Sequence, residues 1–330
     1  MTAQADSGQS RAIEGLRRVV KRVLAFDEIG VLAALLIIGL LLSLTTDSFL
    51  TTSNLLQVAR QASYYGIMAV GMVFALSMGD VDLSVGSILM FVAIITAILL
   101  RAAIPLPVAV VLGLTAGALC GFINGLLSVT LRIPTIIVTL GTMSIYRGLA
   151  LVFSNAKPIS NFPKNNLFFK LGGSTIMGIP TSVVVMIVVA VLGYILFSRA
   201  AFGMRVMAIG SNKQAAQFAG VRIVRHRLLV MTLVGLCAGI AGVMALGFLQ
   251  TADPSTGPGM ELYVIASAII GGTALTGGSG SIPGAILGAL IIAMIRNGLV
   301  LLGFSAYWGI VATGVVIILA VALDRFVKRK

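Results

Sequence analysis

The stretch "GDVDLSVGS", residues 79 to 87, places two carboxylates, Asp80 and Asp82, between the apolar runs Tyr64 to Met78 and Ile88 to Leu100. Three roles suit acids in that setting. They can accept amide hydrogen bonds at the positive end of a helix starting near Leu83, with Asp82 followed by Ser84 as a good capping arrangement. They can sit in a plain turn at a membrane interface. They can line a polar pathway. An unpaired carboxylate at mid-bilayer costs about 2.5–3.5 kcal/mol on insertion scales, which favours the interface or a wet cavity.

A second interruption, "GGTALTGGSGSIPG", runs from Gly271 to Gly284. The apolar run before it is about ten residues long, too short to span a bilayer alone. Short or glycine-broken segments at corresponding places in two halves of a chain point to a transport site. Irregular backbone at membrane depth needs protein or a water-filled cavity to satisfy it. The candidate pathway or structural positions are Asp82, Ser84, Ser87, Asn124, Thr139, Gly271, Gly272 and Thr273.

Other chemistries lack their residues. His226, the single histidine, lies in a basic loop, and no span carries a Glu, Asp and His relay for a proton- or sodium-driven carrier. No Gly-x-x-x-x-Gly-Lys-Ser/Thr loop exists to cradle phosphate, and no metal or cofactor set is present. The net charge of +13 is collected in the N-terminal tail, one central loop and the C-terminus, without stacking aromatics, so nucleic acid is not the expected partner. Cys120 and Cys237 fall inside apolar runs and read as small packing residues.

The elements that must position the candidates are membrane helices. The chain has 330 residues, 58% hydrophobic and 10% charged, with a mean hydropathy of +1.09. Alternating segments of the β-barrel kind are absent. Hydropathy places an all-α polytopic protein with spans near 29–46, 56–78, 84–103, 106–131, 134–153, 180–198, 228–249, 261–274, 283–302 and 306–324. The first span, preceded by a basic stretch, reads as a retained helix, because no small-residue cleavage site follows it.

Ten spans starting inside put three basic clusters in the cytoplasm: Arg11, Arg17, Arg18, Lys21 and Arg22; the acid-free 199–227 loop; and Lys328 to Lys330. The segment Ser154 to Met177 then faces outward, with Lys157, Lys164 and Lys170 as a mild exception and with Pro158, Asn161, Pro163, Asn165 and Asn166 as loop markers. Asn-Gly-Leu occurs at Asn124 and again at Asn297, each followed about ten residues later by a new apolar helix. Two halves of five spans have opposite orientation, the inverted repeat common in transporters.

This is a pathway without an engine, and the segment "AIGSNKQAAQFAGV", Ala208 to Val221, offers a place to attach one. Ser211 or Asn212 can cap a short helix there, Gly220 can stop it, and Ala215, Ala216 and Ala219 give it a small-residue face.

The sequence resembles the permease subunits of bacterial ABC monosaccharide importers, of the ribose, xylose and arabinose type. The matching stretches run in order over roughly residues 50 to 325: "AVGMVFALSMGDVDLSVGS", "GFINGLLSVTLRIPTIIVTLGTMSIYRGLAL", "AFGMRVMAIGSNKQAAQFAGV", "IIGGTALTGGSGSIPGAILGALI" and "NGLVLLGFSAYW". The resemblance implies a single permease domain over 29–325 between cytoplasmic tails 1–28 and 326–330, with a coupling loop at 199–227. It implies a bacterial inner-membrane location, a second permease copy in a homodimer or close heterodimer, a periplasmic sugar-binding protein, and a separate ABC ATP-binding subunit that holds ATP and Mg. It assigns Asn212, Lys213, Gln214, Ala215, Ala216, Ala219 and Gly220 to the ATPase-coupling helix. Gln214 stands where such permeases often carry Glu. Asp80 stands where they carry a second Gly, so Asp82 alone follows their pattern. Branched-chain amino acids or an autoinducer-2-like ligand are the alternative cargoes, and a stand-alone channel or facilitator is the alternative class.

Overall fold

The computed structural model describes residues 28–162, 168, 169, 172 and 174–328. The N-terminal basic cluster, Pro163, Lys164, Asn165, Asn166, Lys170, Arg329 and Lys330 lie outside the described residues. Each of the ten apolar segments read from the sequence coincides with a helix. They are α1 (Ile29–Thr45), α2 (Thr52–Ser77), α3 (Val85–Arg101), α4 (Leu106–Leu131), α5 (Thr135–Ser154), α6 (Thr181–Tyr194, extended to Arg199 by a π-turn), α9 (Ile223–Leu249), α10 (Met260–Ile270), α11 (Ile282–Leu301) and α12 (Trp308–Lys328). Two short helices, α7 (Ala201–Ser211) and α8 (Lys213–Phe218), stand between α6 and α9. Extended structure among the described residues is limited to the hairpin β1 (Thr175–Ile176) and β2 (Ile179–Pro180) and a bridge between Ile159 and Ala252.

Helices α4, α5, α6, α9 and α11 are long and apolar enough to cross a membrane by length and composition; α1, α3, α10 and the first part of α12 are shorter apolar helices. α2 is the central one. It is buried almost without a break from Ala62 to Ser77, as expected of a helix that is apolar around its circumference. Proline sets several starts: Pro105, Pro134 and Pro180 immediately precede α4, α5 and α6, where the missing amide costs no helical hydrogen bond.

Two boundaries differ from the hydropathy reading. α9 begins at Ile223 rather than near 228, because Arg225, His226 and Arg227 lower hydropathy without stopping backbone hydrogen bonding. α10 stops at Ile270, before Gly271 and Gly272, and is shorter than the expected 261–274.

Packing of α4 on its neighbours rests on glycine. Gly113, Gly117, Gly121 and Gly125 recur every fourth residue, facing Thr96 and Val92 of α3 and Met231, Gly235 and Gly239 of α9. A methyl group at Gly121 would lie 2.1 Å from the Met231 carbonyl oxygen. Where lipid is as apolar as leucine, such close backbone approach is what holds helices together.

Contacts between termini sort the helix ends. Asp80 after α2 meets Thr135 and Arg227 at the starts of α5 and α9, and Glu28 before α1 meets Ser281 before α11. At the opposite end, Asn54 near the start of α2 pairs with Asn297 near the end of α11.

Candidate functional site

The first interruption is a knot of polar ties. Gly79, at φ +83, takes a left-handed conformation that turns the chain out of α2. The Asp80 amide then bonds back to Ala75. The Asp80 carboxylate accepts from Arg227 Nε at 2.8 Å, Arg227 Nη2 at 3.0 Å and Thr135 Oγ1 at 2.9 Å. One acid therefore joins the end of α2 to the starts of α5 and α9. The two-pronged guanidinium geometry is the strong form of such a pair.

Asp82 is fully buried. Its Oδ1 accepts from the Ser84 amide at 2.7 Å and the Ser84 hydroxyl at 2.6 Å, and its Oδ2 accepts from Asn124 Nδ2 at 3.2 Å. Asn124 also donates to Ser84 Oγ at 2.8 Å, and its own Oδ1 accepts from the Tyr146 hydroxyl at 3.0 Å. The chain Asp82–Ser84–Asn124–Tyr146 thus links the entry to α3 with α4 and α5. Capping as expected from the sequence is corrected in detail. α3 starts at Val85, Ser84 is the residue before it, and Asp82 closes a turn on Ser84 instead of bonding the helix's first free amides. With no exposure, Asp82 is a buried tie.

Thr139 reaches the Val81 carbonyl at 3.3 Å, and Ser87 lies buried one turn beyond Ser84. Asp82, Ser84, Asn124 and Thr139 are therefore brought together, and Tyr146 is a member that sequence reasoning missed. Its signal was a lone tyrosine in an apolar span.

The second interruption begins with Gly271, Gly272 and Thr273, which form the turn leaving α10. Gly271 sits on the backbone of Gly284, and the Thr273 amide bonds back to Ala268. These three do not join the Asp82 knot. Further along the same loop, the Gly278 amide donates to Ser77 at 2.9 Å and Gly277 packs on Gly79 and Gly210, so the two interruptions meet at one end of the bundle. A third break, Thr251 to Gly259 between α9 and α10, was not singled out from the sequence. It reaches the start of α3, where Gly86 and Gly257 touch backbone to backbone. Within it, Asp253 Oδ1 accepts from the Ser255 amide at 2.8 Å. The Asp-x-Ser spacing shared with Asp82 and Ser84 was the available clue.

The short helix expected between a Ser211 or Asn212 cap and a Gly220 stop is α8, and a separate helix precedes it. Ala208 to Ser211 finish α7, and α8 starts anew at Lys213 with Asn212 as its cap, accepting from the Ala215 amide at 2.9 Å. Gly220, at φ +81, ends it. Lys213, Gln214, Ala215 and Ala219 are exposed, whereas Ala216 is buried against the chain itself. The expected face of three alanines is corrected accordingly: Ala216 belongs to the inner side. Phe218 is 91% exposed and is the prominent side chain of the outer one.

Among the described residues, this arrangement ties helix ends together and leaves the outer side of one short helix exposed. A helical bundle broken at several points, with apolar helices able to cross a membrane, defines a polytopic all-helical membrane protein. The chain belongs to the family described as branched-chain amino acid transport system / permease component, which matches residues 54–321. It is similar to the ribose import permease protein RbsC of Bacillus subtilis, 37% identical with 91% of this chain and 93% of that one covered. The D-allose transport system permease protein AlsC of Escherichia coli is 38% identical over 93% of this chain and 94% of its own. The L-arabinose ABC transporter permease protein AraH of Azospirillum brasilense is 35% identical over 90% and 87%. No solved structure matches the chain. The chain is a permease subunit of an ABC transporter and not an enzyme; ATP hydrolysis belongs to a separate subunit.

Proposed function

We propose that this chain forms the translocation pathway of an ATP-driven monosaccharide importer in a bacterial inner membrane. The observation that carries the sugar assignment is the near full-length similarity to permeases named for ribose, allose and arabinose. Branched-chain amino acids, the cargo in the family's description, are named for none of these three.

A periplasmic binding protein delivers the sugar, and a second permease copy completes the pathway. Helix α5 supports that reading: it packs on α3 and α4, and leaves Ile137, Leu140, Ile145 and Val152 exposed along its length. The ATPase subunit engages the exposed side of α8, with Phe218 as the anchor and Lys213, Gln214 and Ala215 around it. Asn212, Ala219 and Gly220 shape the helix's two ends.

The ten apolar helices make ten passages, the shorter ones together with the broken segments beside them, with the 199–227 loop and both termini cytoplasmic. The crossings form inverted halves: α1 to α5 correspond to α6 and α9 to α12. In that correspondence, α2 (26 residues) matches α9 (27 residues). The Asp82–Ser84 turn after α2 matches the Asp253–Ser255 turn after α9. Asn124 on α4 matches Asn297 on α11. The contact of Gly86 with Gly257 is then the meeting of the two equivalent breaks.

Reconstitution of the chain with its ATPase subunit and binding protein in liposomes, assayed against a panel of monosaccharides and branched-chain amino acids, tests the assignment. Uptake of one monosaccharide that needs ATP and the binding protein is expected. Uptake without ATP would make the chain a facilitator, and uptake of leucine in place of any sugar would reassign the cargo.

A further inference from the structure

A cleft with a cavity volume of about 1060 Å³ opens between the end of α4, the α4–α5 turn, α8 and the start of α9. Its lining includes Arg132, Lys213, Arg222, Arg225 and Arg227. Among the described residues, the carboxylate paired with any of these cations is Asp80, and it takes Arg227 alone. Arg132, Lys213, Arg222 and Arg225 are exposed around one opening. Arg132 reaches that position from a left-handed backbone, φ 58. That conformation ends α4, as Asn155 ends α5 and Gln250 ends α9.

The same lining carries apolar side chains as well. Phe122, Val224 and Leu229 form an apolar wall, with exposures of 37%, 53% and 46%. Phe122 lies nine residues before the end of α4, about 14 Å along the helix. It continues a strip of exposed apolar side chains on α4 that includes Val108, Val111, Leu119 and Leu126. Such a strip along an apolar spanning helix is a lipid-facing surface. The cleft therefore opens onto lipid, with cations at the helix ends and hydrocarbon-like walls beside them.

The geometry points to a binding site for an anionic phospholipid of the cytoplasmic leaflet. The phosphate sits among Arg132, Arg222, Arg225 and Lys213, and the upper acyl segments lie against Phe122 and Leu229. Guanidinium groups match phosphate oxygens with paired hydrogen bonds, and basic pockets between helices at the cytoplasmic face collect anionic headgroups. The leaflet assignment rests on the orientation proposed above; the lipid chemistry does not. Because Arg222 lies between α8 and α9, the lipid would brace the coupling segment against the membrane.

The test uses the purified full-length chain in neutral detergent, with bound lipid counted by native mass spectrometry. Dioleoyl-phosphatidylglycerol is expected to bind at least tenfold more tightly than dioleoyl-phosphatidylcholine. Arg132→Gln with Arg225→Gln should reduce that preference fivefold or more. Arg199→Gln with Arg205→Gln, in the same basic segment but outside the cleft, should leave it unchanged. Both pairs are exposed, and unaltered melting in lipid-free detergent checks the fold.

Equal loss in both double variants, or no loss in the cleft variant, would overturn the site. Displacement of the lipid by millimolar inorganic phosphate would replace it with a free-anion site. If the cleft variant kept its lipid preference but no longer recovered the ATPase subunit, the cleft would belong to that protein. No arm measures transport, so failure here leaves the importer reading intact.

Discussion

Asp80 and Arg227, 147 residues apart in sequence, share two charge-assisted hydrogen bonds of 2.8 and 3.0 Å and join the end of α2 to the start of α9. The pair lies at the root of the basic loop, and Thr135 at the start of α5 donates to the same carboxylate. Movement of the coupling segment relative to the central helix must carry or break it.

Asp80→Ala leaves the Arg227 guanidinium without its partner. That side chain keeps 20% exposure, so a discounted loss of about 1–3 kcal/mol is expected, below the usual cost of orphaning a fully buried charge. Thermal melting in detergent should show it. Asp80→Asn with Arg227→Gln, which removes both charges, should recover most of it; a double variant no better than Asp80→Ala would mean the pair is not the source.

Asp82→Asn should be harmful rather than benign. The new amide would point a donor at Asn124 Nδ2, and Asn124 cannot turn over without abandoning Tyr146. One buried mismatch of this kind costs about 1–3 kcal/mol. Adding Asn124→Asp returns an acceptor to the contact and should restore folded yield. If the single variant melts like the wild type, the knot is not holding α3 to α4.

On α8, Phe218→Ala should leave insertion and yield near normal while cutting recovery of the ATPase subunit about tenfold, in keeping with the loss of an aromatic interface anchor. Ala216→Arg should act differently, lowering folded yield itself, since Ala216 is 5% exposed and faces the chain's own body. Full ATPase recovery by the Phe218→Ala protein would move the docking surface elsewhere.

Single cysteines at Lys157 and Lys213, both exposed, should react with an impermeant thiol reagent from opposite sides of sealed vesicles. Labelling from one side would require an odd crossing to be lost between them and would break the ten-span arrangement.

Gly121→Val should prevent close packing of α4 on α9, because a Cβ there already falls on the Met231 backbone. Overpacking of a tight contact costs about 1–3 kcal/mol, and the whole Gly113–Gly125 face multiplies the effect of a forced shift. The measurement is monodisperse yield in detergent; wild-type yield would show that the two helices separate freely.

Much of this protein was legible in its residues because bilayer chemistry leaves few alternatives. Backbone groups in hydrocarbon must be satisfied within a helix or a closed barrel, so long apolar runs without alternation fixed the class, and proline before α4, α5 and α6 marked where they begin. The Asn212 cap and the Gly220 stop were local as well, since a cap needs only its own neighbours. What required the tertiary structure were relationships between distant positions. Asp80 looked like an extra acid until Arg227 and Thr135 were beside it. Asp82 looked like a helix cap until Asn124, itself held by Tyr146, claimed its second oxygen. Ala216 was indistinguishable from Ala215 in composition, and only packing of α8 on the bundle turned one inward and the other out. Sequence periodicity identifies which residue types share a face; which face meets protein, lipid or a partner is decided by side chains that lie tens or hundreds of residues away.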